Sequence, residues 1–167
     1  MLRIEPLGKH HDRGSFDCGA EDLNHYLRNT AQQHLTKGIS RTFVLVNDSA
    51  PDTIIGFFTL ASCEIWFEKL PPKYAKKYPP KSPAAKLARL AVSQELQRKG
   101  HGTYMMVNAI ERIITVADSL EIIGFFVDAK DTKAKVFYKQ FGFMPLPDNP
   151  LELFLPIATL RKAFEVR

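Results

Sequence analysis

The chain opens on LRIEPL, which reads as a short strand, and passes into a polar loop, HHDRGSFDCG. Across 20–35 the apolar positions change period. Leu23, Leu27, Ala31 and Leu35 recur at helical spacing with Tyr26 and Thr30 beside them, which predicts an amphipathic helix. RTFVLVN (41–47) and TIIGFFTLASCEI (53–65) are rich in β-branched and aromatic residues and flank the turn-forming DSAPD, so they predict a hairpin. Prolines and lysines then dominate KLPPKYAKKYPPKSP (69–83), which is expected to be an exposed basic loop with at most one helical turn, not a regular helix or a central strand. AAKLARLAVS (84–93) follows as a strand. After QRKGHG (97–102), Met106, Ile110, Ile113, Ile114 and Ala117 mark a helical face to about Asp118. A near-continuous apolar strand, IIGFFVDA (122–129), a short helix over 132–140 and two strand-like pieces, FGFMPL and LELFLP, complete the pattern. Strands with helices interposed predict an α/β fold around a sheet of mixed direction.

Length narrows this to one core. At 167 residues the chain is long enough to bury most of one core and too short for two ordinary domains, so a single domain over 1–167 is expected. Apolar residues make up 45% and charged residues 25%, which excludes a disordered chain. Lys plus Arg outnumber Asp plus Glu by 23 to 18, and the formal charge of +5 favours a polyanionic ligand or partner. Only Cys18 and Cys63 are present, with no CxxC spacing, so neither a disulfide framework nor a structural zinc site is indicated. The first residues hold no apolar leader, and the longest apolar stretch, IIGFFTLASC (54–63), is too short to cross a bilayer. A soluble, cytoplasmic protein with no membrane partner is the expectation.

QRKGHG carries two cations, two glycines and an imidazole between a strand and a helix. A glycine-bearing strand-to-helix corner presents free backbone N–H groups and the positive end of a helix dipole, which suits a phosphate. Gly100 and Gly102 let the backbone approach closely, while Gln97, Arg98 and Lys99 add donors and charge. The spacing fits neither a P-loop, GxxxxGK[ST], nor the dinucleotide fingerprint GxGxxG, whose third glycine is replaced by Met105. On the hexapeptide alone, an anion site and a plain tight turn with solvated cations both stand.

Gln97-Arg98-Lys99-Gly100-His101-Gly102 resembles the Q/R-x-x-G-x-G/A signature of the GNAT superfamily of N-acetyltransferases, which follows that family's fourth strand and opens its third helix. Leu90-Ala91-Val92 resembles the strand segment that pairs with the pantetheine arm. Asp128-Ala129-Lys130-Asp131, Ala134 and the run from Phe137 to Phe143 resemble the family's fifth strand, fourth helix and FYxxFGF block. The resemblance implies the GNAT fold: a central, mixed, mostly antiparallel twisted sheet, splayed at strands four and five and flanked by helices. It also implies acetyl-coenzyme A as cosubstrate, held by Leu90, Ala91, Val92, the hexapeptide, Thr103 and Asp131. A narrower resemblance lies in the N-terminal third, where Phe16, Cys18, Gly19, Leu23, Tyr26 and Leu27 match the F-x-CG-x-x-x-L-x-x-YL pattern of acetyltransferase toxins of type II toxin-antitoxin modules. That likeness implies acetylation of the α-amino group of aminoacyl-tRNA, a block of translation, a small ribbon-helix-helix antitoxin as partner and a homodimer. A generic acetyltransferase of small amines or protein N-termini, and a non-catalytic RNA-binding module on the same scaffold, remain as alternatives.

Transfer needs a neutral amine and a proton for the departing thiolate. Tyr138 is the expected donor, as a tyrosine at this position is in the resembled family; the alternative is a core tyrosine flanked by Phe137 and Phe141. Backbone N–H groups near Val92 are the family's usual oxyanion donors. An α-amine titrates near ~8, so it is appreciably neutral without a strong base. Glu64 and Glu68 are candidate bases that also read as solvated surface. For tRNA, Lys76, Lys77, Lys86 and Arg89 belong to a basic cluster with Tyr74 and Tyr78 interleaved, and Lys37 and Arg41 add to the field. Each of these cations alone also reads as an ordinary solubilising residue. His10 and His11 resemble a ligand pair, but adjacent side chains are expected to point apart with no third ligand nearby in sequence, so no metal is expected. Cys18 and Cys63 read as small packed hydrophobes.

Overall fold

A computed structural model of the chain describes residues 1–164; the end of the expected domain, 165–167, lies outside the described residues. Seven strands hydrogen-bond in the order β1-β2-β3-β4-β5-β7-β6. They form a mixed, mostly antiparallel sheet in which β4 and β5 run parallel. The mixed α/β architecture expected from the pattern is therefore present. The chain divides into two compact units, one of Met1–Ala61 with Ala88–Ala109 and one of Ser62–Leu87 with the residues from Ile110 onward.

In the first unit β1 (Leu2–Pro6) and β2 (Ser40–Asn47) pair antiparallel with Ile4 opposite Leu45, and β2 pairs with β3 (Gly56–Trp66) with Phe43 opposite Phe58. Side chains alternate across a strand. Val44 and Val46 on β2 and Phe57 on β3 thus share a core with Phe16, Tyr26, Leu27 and Ala31. Each buried aromatic or aliphatic side chain of this kind contributes roughly 1.5–3 kcal/mol. The helix expected over 20–35 exists but is not uniform. α1 (Glu21–His25) and α2 (Ala31–Thr36) are joined by a wide π turn, Tyr26–Thr30, in which the Ala31 N–H reaches back to the Tyr26 carbonyl. Apolar residues spaced by four drift about 40° per step around a helix of 3.6 residues per turn. The wide turn takes up that drift and buries both Tyr26 and Leu27.

β4 (Lys81–Val92) belongs to the second unit as far as Leu87, and there it pairs with β5 (Gly124–Asp128), which pairs with β7 (Asn149–Pro156), which pairs with β6 (Met144–Leu146). Phe126 and Phe154 stack with centroids 4.7 Å apart inside a core that includes Ile65, Leu70, Ala84 and Leu146. The parallel ladder is short. Its last pair is Leu87 with Val127, although β4 itself continues to Val92. The basic stretch is only partly the loop expected. Pro72–Ala75 forms the single helical turn, α3, with proline at its start, but Lys81, Ser82 and Pro83 already belong to β4. Pro83 is tolerated in the strand because its ladder role is to accept, from Ile123 N–H at 3.0 Å. The strand expected from Thr53 begins only at Gly56, and the one expected from Ile122 only at Gly124. α4 (His101–Ala117) and α5 (Thr132–Lys139) lie close to their expected places, whereas α6 (Ile157–Phe164) was not anticipated by the pattern. Among the described residues no helix is long and apolar enough to cross a membrane.

Candidate active site

The chain between β4 and α4 is shaped by backbone conformation. Arg98 has φ 64° and Gly100 φ 85°, so two left-handed residues flank Lys99 and turn the main chain sharply before the helix. Holding a non-glycine residue such as Arg98 there costs about 1 kcal/mol. At Gly100 a side chain would meet open space, so the requirement is conformational and not steric. The Tyr104 N–H donates to the Gly100 carbonyl at 3.0 Å and closes the first turn of α4. The amides of His101, Gly102 and Thr103 precede that bond and have no intrahelical acceptor, at the positive end of a 17-residue helix. Arg98, Lys99 and Thr103 are exposed beside them, and His101 is half-buried. The corner therefore offers unpaired backbone donors to an anion, with exposed cations around it.

Gln97 departs from the sequence expectation. Its amide nitrogen donates to the carbonyls of Cys18 at 3.0 Å and Val92 at 2.9 Å, so the side chain expected among the phosphate donors is engaged with the protein itself. Gln94 N–H donates to the Asp17 carbonyl at 2.9 Å. The 17–19 turn that receives these bonds is itself pinned by Asn24, whose side chain accepts from Cys18 N–H and donates to the Asp17 carboxylate. Gly19, at φ 90°, packs so closely on Gln94 that a methyl group would lie 2.6 Å from it. The FDCG motif thus braces the loop that precedes α4. Sequence reading registered the motif as a family likeness but had no means to see what it presses on, because its contacts are far away along the chain.

Leu90, Ala91 and Val92 end β4, with Ala91 buried in the first unit's core. Ser93 N–H donates to the Ile55 carbonyl at 2.8 Å. Past Leu87 the ladder with β5 has ended, which leaves this stretch of β4 as main chain available to an extended ligand.

Tyr138 lies on α5 in the second unit, with Phe137 at 5.3 Å and Phe143 at 5.9 Å between ring centroids. Its side chain is buried. Desolvation pushes the phenol up to about 12. Its hydroxyl has no partner among the described residues, yet among those residues no fully enclosed polar side-chain atom lacks one, so the hydroxyl keeps access to solvent. A buried ring whose hydroxyl holds its proton firmly and bonds to no described residue is suited to donate to an incoming group. Asp131, expected with the cosubstrate set, caps α5 by accepting from Ala134 N–H at 2.8 Å.

The expected cations have different fates. Arg89 lies half-buried with its guanidinium over the ring of Tyr26. Arg41 follows Ser40 on β2, and alternation puts it on the opposite face from Ser40 and Thr42. Lys37, Lys76 and Lys77 are exposed, and Lys77 lies 5.7 Å from the Tyr74 ring centroid. Lys86 is paired with Asp128 at 2.8 Å, and both side chains stay partly exposed. Glu64 pairs with Lys81 at 3.1 Å, and Glu68 is exposed. Burial pushes both Cys18 and Cys63 thiols up, so neither is activated.

The histidine pair does not point apart. His10 and His11 rings lie 3.9 Å apart, and both approach Glu5, with His11 Nε2 at 2.9 Å and His10 Nε2 at 3.3 Å from one carboxylate oxygen. The third group that sequence proximity failed to suggest is supplied by β1. His11 Nδ1 accepts from Gly8 N–H at 2.8 Å, which leaves the proton on Nε2 to be donated to Glu5. Both nitrogens of the buried ring are occupied structurally, so Glu5 and His11 tie the loop to β1.

The acetyltransferase (GNAT) domain family matches residues 38–145. A probable toxin TacT of Sinorhizobium fredii (strain NBRC 101917 / NGR234) is 31% identical over 95% of this chain and 92% of its own length. A tRNA-acetylating toxin of Mycobacterium tuberculosis (strain ATCC 25618 / H37Rv) is 34% identical over 86% of this chain and 85% of its own. The solved structure of AtaT complexed with acetyl-methionyl-tRNAfMet superposes with a TM-score of 0.88 at 32% identity, covering 99% of this chain and 98% of that one.

Proposed function

We propose that this chain, which belongs to the GNAT family of acetyltransferases, moves an acetyl group from acetyl-coenzyme A to the α-amino group of an aminoacyl-tRNA and thereby blocks translation. The observation that carries the reading is the likeness, along nearly the whole chain, to AtaT holding acetyl-methionyl-tRNA. The family match runs through residues of both compact units, and we take the two as one acetyltransferase domain.

In this reading the amides at 101–103, with Arg98 and Lys99, hold the pyrophosphate of acetyl-coenzyme A, and the main chain at 90–92 lies along its pantetheine arm. Gln97 and Asp131 serve that site indirectly, the first by bracing the loop and the second by capping the helix that carries Tyr138. The neutral α-amine attacks the thioester carbonyl, and backbone N–H groups near Val92 receive the developing oxyanion. The carbon–sulfur bond then breaks, and the sulfur takes the Tyr138 proton. A phenol at about 12 cannot give its proton outright to a thiolate whose acid lies near ~8.5 unless the phenolate is refilled. The ammonium formed by the attack supplies that proton, so the net transfer is from amine to sulfur and Tyr138 ends as it began. So written, the step needs no metal and no strong base.

Arg89, with Lys37, Arg41, Lys76 and Lys77, supplies the field for the RNA. Lys86 contributes less because Asp128 holds it. The protein works in the cytoplasm, is neutralised by a small ribbon-helix-helix antitoxin and forms a homodimer. The test is transfer of labelled acetyl from acetyl-coenzyme A to charged tRNA, uncharged tRNA and amine-bearing peptides. Label on charged tRNA alone supports the reading. Label on peptides or small amines, with none on RNA, moves the protein to a generic acetyltransferase, and coenzyme binding without any transfer moves it to a non-catalytic module.

A further inference from the structure

Arg89 has its guanidinium carbon 3.5 Å from the centroid of the Tyr26 ring. Carbon atoms touch at about 3.5–4.0 Å, so a separation this short from the ring centre is reached only over its face. By contrast, Lys73 and Lys77 stand 5.6 and 5.7 Å from the Tyr74 centroid, and both are exposed. Among the described residues no carboxylate pairs with Arg89. A guanidinium that spends one face on an aromatic ring keeps its in-plane N–H donors for an anion, in the fork geometry that suits phosphate oxygens.

The ring under Arg89 is itself held at its far end. Tyr26 is 3% exposed, and its hydroxyl bonds to Ser40 Oγ at 2.9 Å and His34 Nδ1 at 3.1 Å. His34 also packs edge-on against the ring at 5.4 Å. The wide turn of the helix begins on Tyr26, with the Ala31 N–H reaching back to its carbonyl. Such turns shift one side chain relative to a regular helix and are enriched at functional sites. Three elements, the helix, β2 and β4, thus converge on one ring and one cation within the first unit.

We propose that Tyr26 is a positioning residue for substrate recognition: it holds the Arg89 guanidinium flat, so that its N–H edge takes a phosphate at the acceptor end of the aminoacyl-tRNA. The inference rests on the tRNA reading above and adds to it the group that aims the cation. Rigidity is what the platform contributes. A mobile lysine attracts RNA at any angle, whereas a stacked guanidinium loses little freedom when it binds and fixes the register of the strand.

The test is a double-mutant cycle of Tyr26→Leu and Arg89→Ala, read as KM for charged tRNA, kcat and the dissociation constant for acetyl-coenzyme A. Tyr26→Leu is expected to raise KM for charged tRNA about tenfold in the Arg89 protein and less than about twofold in the Arg89→Ala background. kcat and coenzyme affinity are expected to hold. Equal increments in the two backgrounds, or a KM that does not move, overturn the platform. Because Tyr26 is buried, Tyr26→Phe is run in the same cycle. It keeps the ring and the packing, loses only the two hydroxyl bonds, and is expected to raise KM roughly threefold with Arg89 present and not without it. If Tyr26→Leu does not fold, this cycle decides alone, and equal effects in both backgrounds overturn the proposal. A wild-type protein that binds acetyl-coenzyme A yet leaves charged tRNA unlabelled overturns both this inference and the reading beneath it. An active wild type with an additive cycle overturns this inference only.

Discussion

In the proposed transfer, the loop at 93–103 and the helix-to-strand segment at 132–143 serve by opposite means. The loop works through main chain: left-handed Arg98 and Gly100, a braced entry and a run of amides before α4, with most side chains exposed. The second segment works through one side chain, Tyr138, whose ring is enclosed by Phe137 and Phe143 and whose proton is held firmly by desolvation. A backbone site tolerates changes of side chain that leave φ alone. A desolvated hydroxyl tolerates no loss of its oxygen.

The strongest way to break this contrast is Tyr138→Phe. kcat for acetyl transfer is expected to fall about 10²–10³-fold, as for loss of a general acid, while calorimetry shows coenzyme affinity unchanged within about twofold. A matching loss of affinity would make Tyr138 part of the binding surface and erase the distinction. The pH profile sharpens the same side. Between pH 6 and 8 the rate is expected to climb about tenfold or more as the α-amine loses its proton. A phenol raised by burial stays protonated until pH passes its shifted value, so no falling limb should arise toward pH 10 in rapid-quench measurements. A descending limb near ~10 would mean an unshifted tyrosine.

The loop is tested by Gly100→Val. A β-branched residue at φ 85° is strained whatever the space around it. Coenzyme affinity is expected to weaken about tenfold by calorimetry, against about two- to threefold for Lys99→Ala, whose charge is solvated. Equal effects would mean that charge and not backbone does the holding. The smallest effect belongs to the brace. Gln97→Leu removes two hydrogen bonds and is expected to lower stability by about 1 kcal/mol in denaturant titration and to weaken coenzyme binding severalfold, with kcat at saturation unchanged.

Periodicity located most elements because helices and strands are local. α4 and α5 lie close to where the sequence pattern put them, and the turn at QRKGHG was legible because strand, glycine and helix are adjacent in the chain. The pattern failed where a distant partner decided the outcome. Lys81, Ser82 and Pro83 became strand because the Pro83 carbonyl meets Ile123, and α6 escaped notice behind a strand signal that ends at Pro156. Adjacent histidines turned together because Glu5 on β1 attracts both rings.

The site divides in the same way. Sequence by itself determined the chemistry on offer: a glycine-flanked helix start of the kind that suits an anion, a tyrosine followed by an aromatic block, and an excess of cations. Tertiary structure alone decided which of those groups are free to act. Lys86 pairs with Asp128, Gln97 donates to two carbonyls and Asp131 caps a helix, while Arg89 lies over an aromatic ring with no carboxylate partner among the described residues. Residue type sets what a group can do in water. Hydrogen-bond partners, desolvation and stacking, which come from segments far apart in the chain, set what it has left to do once folded.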